Sequence, residues 1–132
     1  DKWRGLAGPT SEPEDVRVQL LVAAILHPKA PEAAVQSCMT RLRAWAAVNG
    51  GSLTPQRLAA TTPEDIEEML LGLHWSKSKS VRLNAAATML EERWGGKVPC
   101  HRDELLSLPG IGPKLAGLLE FVIGALAPAR DG

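Results

Sequence analysis

Apolar residues recur along most of the chain at intervals of three and four, and no stretch sustains period-two alternation, so the pattern is helical throughout. The most informative stretch is Leu105-Leu106-Ser107-Leu108-Pro109-Gly110-Ile111-Gly112-Pro113-Lys114-Leu115-Ala116-Gly117-Leu118-Leu119-Glu120-Phe121. An apolar run is stopped by Pro-Gly, restarted by Gly-Pro and followed by a second apolar run. This predicts a helix, a tight hairpin and a further helix. Pro109 lacks an N–H and biases Leu108 away from helical φ/ψ, Gly110 and Gly112 allow positive φ and close backbone approach, and Pro113 suits a first helical turn. Amides freed at that turn, Gly112's among them, are expected to face outward at the positive end of the helix dipole, where one phosphate oxygen could sit.

Upstream, Ser11-Glu12-Pro13-Glu14 has the form of a capping box with Ser11 as N-cap. Val16, Leu20, Val22, Ala23, Ala24, Ile25 and Leu26 then predict an apolar helix through the core, ended by His27-Pro28. Lys29-Ala30-Pro31-Glu32 restarts the chain, and Ala34, Val35, Cys38, Met39, Leu42 and Trp45 keep helical spacing as far as Asn49-Gly50-Gly51. Thr54-Pro55 and Thr62-Pro63 each pair an N-cap with proline at the first helical position, and Ile66, Met69, Leu70 and Leu73 make the second of these short helices amphipathic. Ser76 is the expected cap of a longer helix with two apolar rows, Val81, Ala85, Met89 and Leu83, Ala86, Leu90, Trp94, which Gly95-Gly96 ends. The sum is an all-α domain of seven unequal helices over residues 11–132, preceded by an irregular arm, residues 1–10, whose Trp3 is expected to tuck onto it. No internal repeat is evident.

Composition narrows the function. A chain of 132 residues builds one core. Fifteen basic and fifteen acidic side chains cancel, which disfavours free DNA scanning unless charge is segregated by face. Glu12, Glu14, Asp15, Glu64, Asp65, Glu67 and Glu68 do crowd two helix starts. Cys38 and Cys100 lie far apart, form no metal-binding pair and suggest no secreted disulfide scaffold; each is expected to be a lone buried thiol. No metal site is expected. No run of about 18 apolar residues predicts a membrane span. The start at Asp1 rather than Met fits either a cut boundary or a removed targeting segment.

Leu108-Pro109-Gly110-Ile111-Gly112-Pro113-Lys114-Leu115-Ala116 resembles the helix-hairpin-helix of the endonuclease III group of base-excision DNA glycosylases, in the HhH-GPD superfamily, and its Pro-Lys resembles the eukaryotic branch. Leu73-His74-Trp75-Ser76-Lys77-Ser78-Lys79 is similar to that family's Gly-hydrophobic-aromatic-X-Ser-Lys helix start, and Gly95-Gly96-Lys97-Val98-Pro99 to its connector. The resemblance runs from about residue 14 to about residue 128. It implies a six-helix-barrel-type orthogonal helical bundle ending in the hairpin. Pro109, Gly110, Ile111 and Gly112 would grip the nucleic-acid backbone, with Lys29, Lys77 and Lys79 as further backbone-binding cations. Lys114 falls at the family's nucleophile, which attacks C1′ of a flipped nucleotide, displaces the base and forms a Schiff base that permits β-elimination. That chemistry needs the free amine, which desolvation and the helix dipole are expected to favour here. Taken alone, Lys114 is equally a solvated lysine in a first turn.

The sequence also departs from the family. The catalytic aspartate's Val-Asp-Thr-His run has no match: Asp131, in Arg130-Asp131-Gly132, would serve only with a one-residue deletion, and no Thr-His follows. At the first helix-to-helix corner Lys29, flanked by Pro28 and Pro31, replaces the glutamine that fills the gap left by the flipped base. The four-cysteine iron-sulfur loop is absent, so no cofactor is expected in this chain. The favoured reading is a nucleic-acid-binding domain of glycosylase descent whose catalysis is lost or incomplete. The alternatives are a non-catalytic component of a larger assembly, such as a mitochondrial ribonucleoprotein, or an active glycosylase when a further C-terminal part is present. Expected partners are DNA, or RNA within an assembly, together with other protein subunits. The expected location is intracellular, nuclear or mitochondrial.

Overall fold

Seven helices account for most of residues 12–126, the part of the chain that the computed structural model describes. In chain order they are α1 (Pro13–Leu26), α2 (Glu32–Val48), α3 (Pro55–Ala59), α4 (Pro63–Met69), α5 (Ser76–Trp94), α6 (Arg102–Leu106) and α7 (Pro113–Leu126). No strand occurs among the described residues. The architecture is the expected all-α orthogonal bundle ending in a helix-hairpin-helix.

The apolar α1 runs through the middle, and every residue from Gln19 to Leu26 is buried. Helices α2, α5 and α7 pack on it, α5 lies against α3 and α4, and α6 lies against α7. Leu42, Ile66, Leu70, Leu83, Leu105, Leu119 and Ile123 complete one core with the side chains of α1. Each such side chain contributes roughly 1.5–3 kcal/mol by leaving water. The hairpin therefore stands on a rigid base.

Helix ends show where local sequence decides and where distant groups take over. Thr54 Oγ1 accepts from the Arg57 amide and Thr62 Oγ1 from the Asp65 amide, both at 3.2 Å, and proline follows each cap as expected. The capping box expected at α1 does not form in that way. Glu12 occupies the N-cap position, Ser11 lies outside the described residues, and the Glu14 carboxylate accepts from the Val98 amide at 3.0 Å and from Arg17 Nη1 at 2.9 Å. Glu14 thus ties the start of α1 to the connector after α5.

Other expectations need correction. Ser76 is the first residue of α5 and not its cap; Trp75 holds that position at φ 62°. Helix α4 ends at Met69, so Leu73 is buried from the turn beyond it. Of the two apolar rows on α5, that of Leu83, Ala86 and Leu90 enters the core, whereas Val81 is half exposed. Cys38 is buried, but Cys100, in the connector, is exposed. The arm of residues 1–10, with Trp3, lies outside the described residues. The Gly95-Gly96 stop is as expected: Gly95 is left-handed at φ 61°, and the Gly96 amide donates to the Leu90 carbonyl at 2.9 Å.

Candidate functional site

The hairpin between α6 and α7 owes its shape mostly to its own residues. The Ile111 amide donates to the Leu108 carbonyl at 3.2 Å, which closes the turn, and the Ile111 side chain is buried as its anchor. Gly110 has φ +86°, and a Cβ there would sit 3.3 Å from Ile25 Cγ2 and 3.5 Å from Arg82 Cβ. The two glycines expected to act alike therefore differ. Gly112 has no positive φ, is exposed, and a Cβ there would meet nothing within 4 Å. Gly110 is needed by the fold; Gly112 leaves its surface open to something approaching from outside. Its carbonyl accepts from the Ala116 amide at 2.8 Å as α7 begins, and the amides of that first turn have no acceptor within the helix.

The packing of Gly110 against Ile25 and Arg82 brings the hairpin to the end of α1 and to the second turn of α5. A second long-range link draws the α1–α2 corner to the same part of α5. Lys79 is fully buried, and its Nζ donates to the Pro28 carbonyl at 2.6 Å. Burial lowers its pKa from that of an ordinary lysine; nearby Cys38 opposes this and Arg82 adds to it. Lys79 therefore does not reach a phosphate, contrary to the sequence reading. It pins the corner on which Lys29 is displayed. Lys29 is exposed and left-handed at φ 62°, and the Ala30 amide donates to the His27 carbonyl at 3.0 Å to close that turn. Three segments distant in sequence are thus held side by side.

Of the remaining expected site residues, Lys77 and Lys114 are exposed, and Pro109 and Gly110 are half-buried. Ile111 supports the hairpin from inside rather than offering a side chain outward. Lys114 stands at the second position of α7 and is exposed. Asp131 lies outside the described residues. Among the described residues no group of three or more His, Cys, Asp or Glu could hold a metal ion, and no helix is long and apolar enough to cross a membrane.

Residues 95–119 match the helix-hairpin-helix motif model. The chain is 38% identical over 69 residues to endonuclease III of Thermotoga maritima, covering 52% of this chain and 32% of that protein. It is 28% identical over 113 residues to the chloroplastic endonuclease III homolog 1 of Arabidopsis thaliana, covering 86% of this chain and 28% of that one. A solved structure of a trapped endonuclease III–DNA covalent intermediate superposes with a TM-score of 0.74 at 28% identity, over 83% of this chain and 48% of that chain. This is an endonuclease III-like helix-hairpin-helix domain. It spans about a third of the length of the curated relatives and about half of the solved chain.

In the endonuclease III-like domain, two residues of this region, Arg82 and Trp75, were given no site role by the sequence. Arg82 escaped notice because only its packing against Gly110 places it beside the hairpin. Trp75 is half exposed at the start of α5, next to His74, whose ring centroid lies 4.8 Å from its own. The adjacent pair of aromatic rings before a Ser-Lys helix start was the available signal.

Proposed function

We propose that this domain binds the sugar-phosphate backbone of duplex DNA through the hairpin, and that the chain by itself does not excise damaged bases. The observation that carries the binding reading is Gly112: exposed, without positive φ and with open space at its Cβ, it has no folding reason to lack a side chain. A phosphate approaching the first turn of α7 supplies one. Lys29, Lys77 and Lys114 are exposed cations for the same backbone, and endonuclease III, to which the domain is similar, has been solved in complex with DNA.

Two features support the absence of excision. The Lys114 amine is exposed, whereas a Schiff-base lysine acts as the desolvated free amine. The corner displays Lys29, whose flexible aliphatic stem cannot fill a planar gap between stacked bases as an amide can.

The test is a salt titration. If Lys29, Lys77 and Lys114 each neutralise one phosphate, log affinity should fall against log salt with a slope of about −3 on duplex DNA, nearly independent of sequence. A slope near zero, or a strong preference for one sequence, would refute the binding reading. Borohydride trapping of Lys114 on DNA carrying an oxidised pyrimidine should give no adduct. Efficient trapping there, abolished by Lys114→Ala, would restore the enzyme.

A further inference from the structure

A cavity of about 410 Å³ opens where the first two turns of α1, with Asp15 and Gln19, face Arg43 and Ala44 of α2 and Ser52 and Leu53 of the loop that follows it. The hairpin packs on Ile25, toward the other end of α1 and roughly 15 Å from Asp15 along the helix axis. The cavity is therefore separate from the backbone-binding surface. Its lining includes a buried polar group that lacks an acceptor. Gln19 is only 5% exposed, and its Oε1 accepts from Arg43 Nη1 at 3.2 Å, but its Nε2 donates to no group among the described residues. Arg17 Nε is the one sealed side-chain atom without a partner among those residues, so Gln19 Nε2 is not sealed and opens on the cavity. Beside it Asp15 accepts from Ser52 Oγ at 3.1 Å and forms no ion pair among the described residues. Leu53 and Ala44 supply an apolar wall.

The chain that precedes α1 carries the complement of this lining. Residues 1–10 place Lys2 and Arg4 on either side of Trp3, and their backbone offers carbonyls. Helix α1 begins at Pro13, two residues before Asp15, so the arm joins the domain at the edge of the cavity. Extended, the stretch from Trp3 to Glu12 spans roughly 30 Å, more than enough to return there. We propose that the arm of residues 1–10 straps into this cavity, with Trp3 against Leu53 and Ala44, a neighbouring cation on Asp15 and an arm carbonyl on Gln19 Nε2. Tethering selects this occupant. A short linker holds the arm at an effective concentration on the order of millimolar, which a free ligand or a second copy of the chain must exceed. The strap secures α1 against α2 and the loop beyond it, and it leaves the hairpin free for DNA.

The test uses the full chain. Trp3 is one of four tryptophans, so its emission is taken as the difference between the wild type and Trp3→Phe. That emission should lie to the blue of tryptophan in water and resist quenching by acrylamide. In the Asp15→Asn background, which keeps an acceptor for Ser52, the same difference should move to the red and quench more readily. Gln19→Leu should act in the same direction. Trp3→Ala should lower the melting temperature by about 5 °C and leave the DNA salt slope at about −3. Water-like emission of Trp3 in the wild type, or quenching that neither Asp15→Asn nor Gln19→Leu changes, would overturn the strap. Protection of Trp3 that disappears on dilution, together with a dimer in light scattering, would assign the cavity to a second copy and also overturn it. So would a Trp3→Ala variant that folds as the wild type does but loses DNA binding, because the arm would then belong to the DNA surface.

Discussion

Two sharp reversals of the chain meet near the start of α5, and they are held in opposite ways. The hairpin of Leu108–Pro113 is held mainly from within. Gly110 supplies the left-handed residue, Ile111 buries itself as an anchor, and the amide of Ile111 closes the turn on Leu108. The corner of His27–Pro31 must also pass through a left-handed residue, but there it is Lys29, which carries the steric cost of a Cβ. Its stabilising partner comes from outside, as Lys79 reaches across 51 residues of sequence to the Pro28 carbonyl. A reversal written in its own residues tolerates change elsewhere. One held by a distant side chain depends on that side chain.

The sharpest way to break the hairpin is Gly110→Val. The new Cβ would combine a φ of +86° with an approach of 3.3 Å to Ile25 Cγ2. Strain of this kind costs about 1–3 kcal/mol, and crowding in the core adds a similar amount. The melting temperature should drop by roughly 10 °C or more. Gly112→Val, two residues away, should change stability by less than about 0.5 kcal/mol while weakening DNA binding severely. If the two variants melt alike, the division of labour between the glycines is wrong.

At the corner, the corresponding substitution is made far from it in sequence. Lys79→Met keeps the aliphatic stem but leaves the Pro28 carbonyl without its donor. An orphaned buried acceptor costs about 1–3 kcal/mol, partly offset because no ammonium must then be buried. A net loss of about 1 kcal/mol in urea unfolding is expected. The distinguishing signature is local: amide exchange at Ala30, whose hydrogen bond closes the turn, should accelerate more than exchange at Ile111. Uniform acceleration would mean that Lys79 supports the whole core and not the corner.

These two reversals also mark how far the sequence was legible. Helix order, the Thr-Pro starts, the Gly95-Gly96 stop and the hairpin could be read because each depends on neighbours along the chain. Lys79 was read as a phosphate ligand because lysine is usually solvated; only the fold reveals that it is buried, reaching from α5 to the Pro28 carbonyl of the corner. Glu14 was misassigned for the same reason, since its partner Val98 is 84 residues away. Arg41, to which the sequence assigned no role, is likewise committed to distant partners, donating to the Met69 and Leu71 carbonyls at 2.9 and 2.8 Å to secure the chain after α4. The zero net charge hides this sorting. Among the described residues Lys79 is buried on a carbonyl and Arg41 is committed to two carbonyls at the surface, so the charge offered to a partner depends on which cations the fold leaves uncommitted.

A smaller effect sharpens the same contrast from the other side. Lys29→Gly should relieve the left-handed strain at the corner, but it also enlarges the freedom of the unfolded chain. The gain of about 1–2 kcal/mol from removing the Cβ is then offset by about 0.5–1 kcal/mol. Stability should rise by a few tenths to about 1 kcal/mol in urea unfolding, while the DNA salt slope becomes shallower by about 0.9. A destabilised Lys29→Gly would show that the lysine side chain itself supports the corner.

The smallest effect is the pH dependence that Lys79 imposes. Burial makes the folded protein release this proton more readily than the unfolded chain does, so the folded pKa lies below the unfolded one, near 10.4. Between those two values the unfolded state binds more protons, and stability must therefore rise with pH across that window. Below the folded pKa both states hold the proton and the contribution is flat. Neutral Lys79 still has two hydrogens to donate, so the bond to Pro28 survives deprotonation and the corner is not released. Urea midpoints for wild type and Lys79→Met, measured from neutral to pH 10.5, should therefore diverge in favour of the wild type as the pH increases. Parallel profiles, or a wild type that loses ground in alkali, would mean that the Pro28 carbonyl holds the proton more firmly than burial expels it.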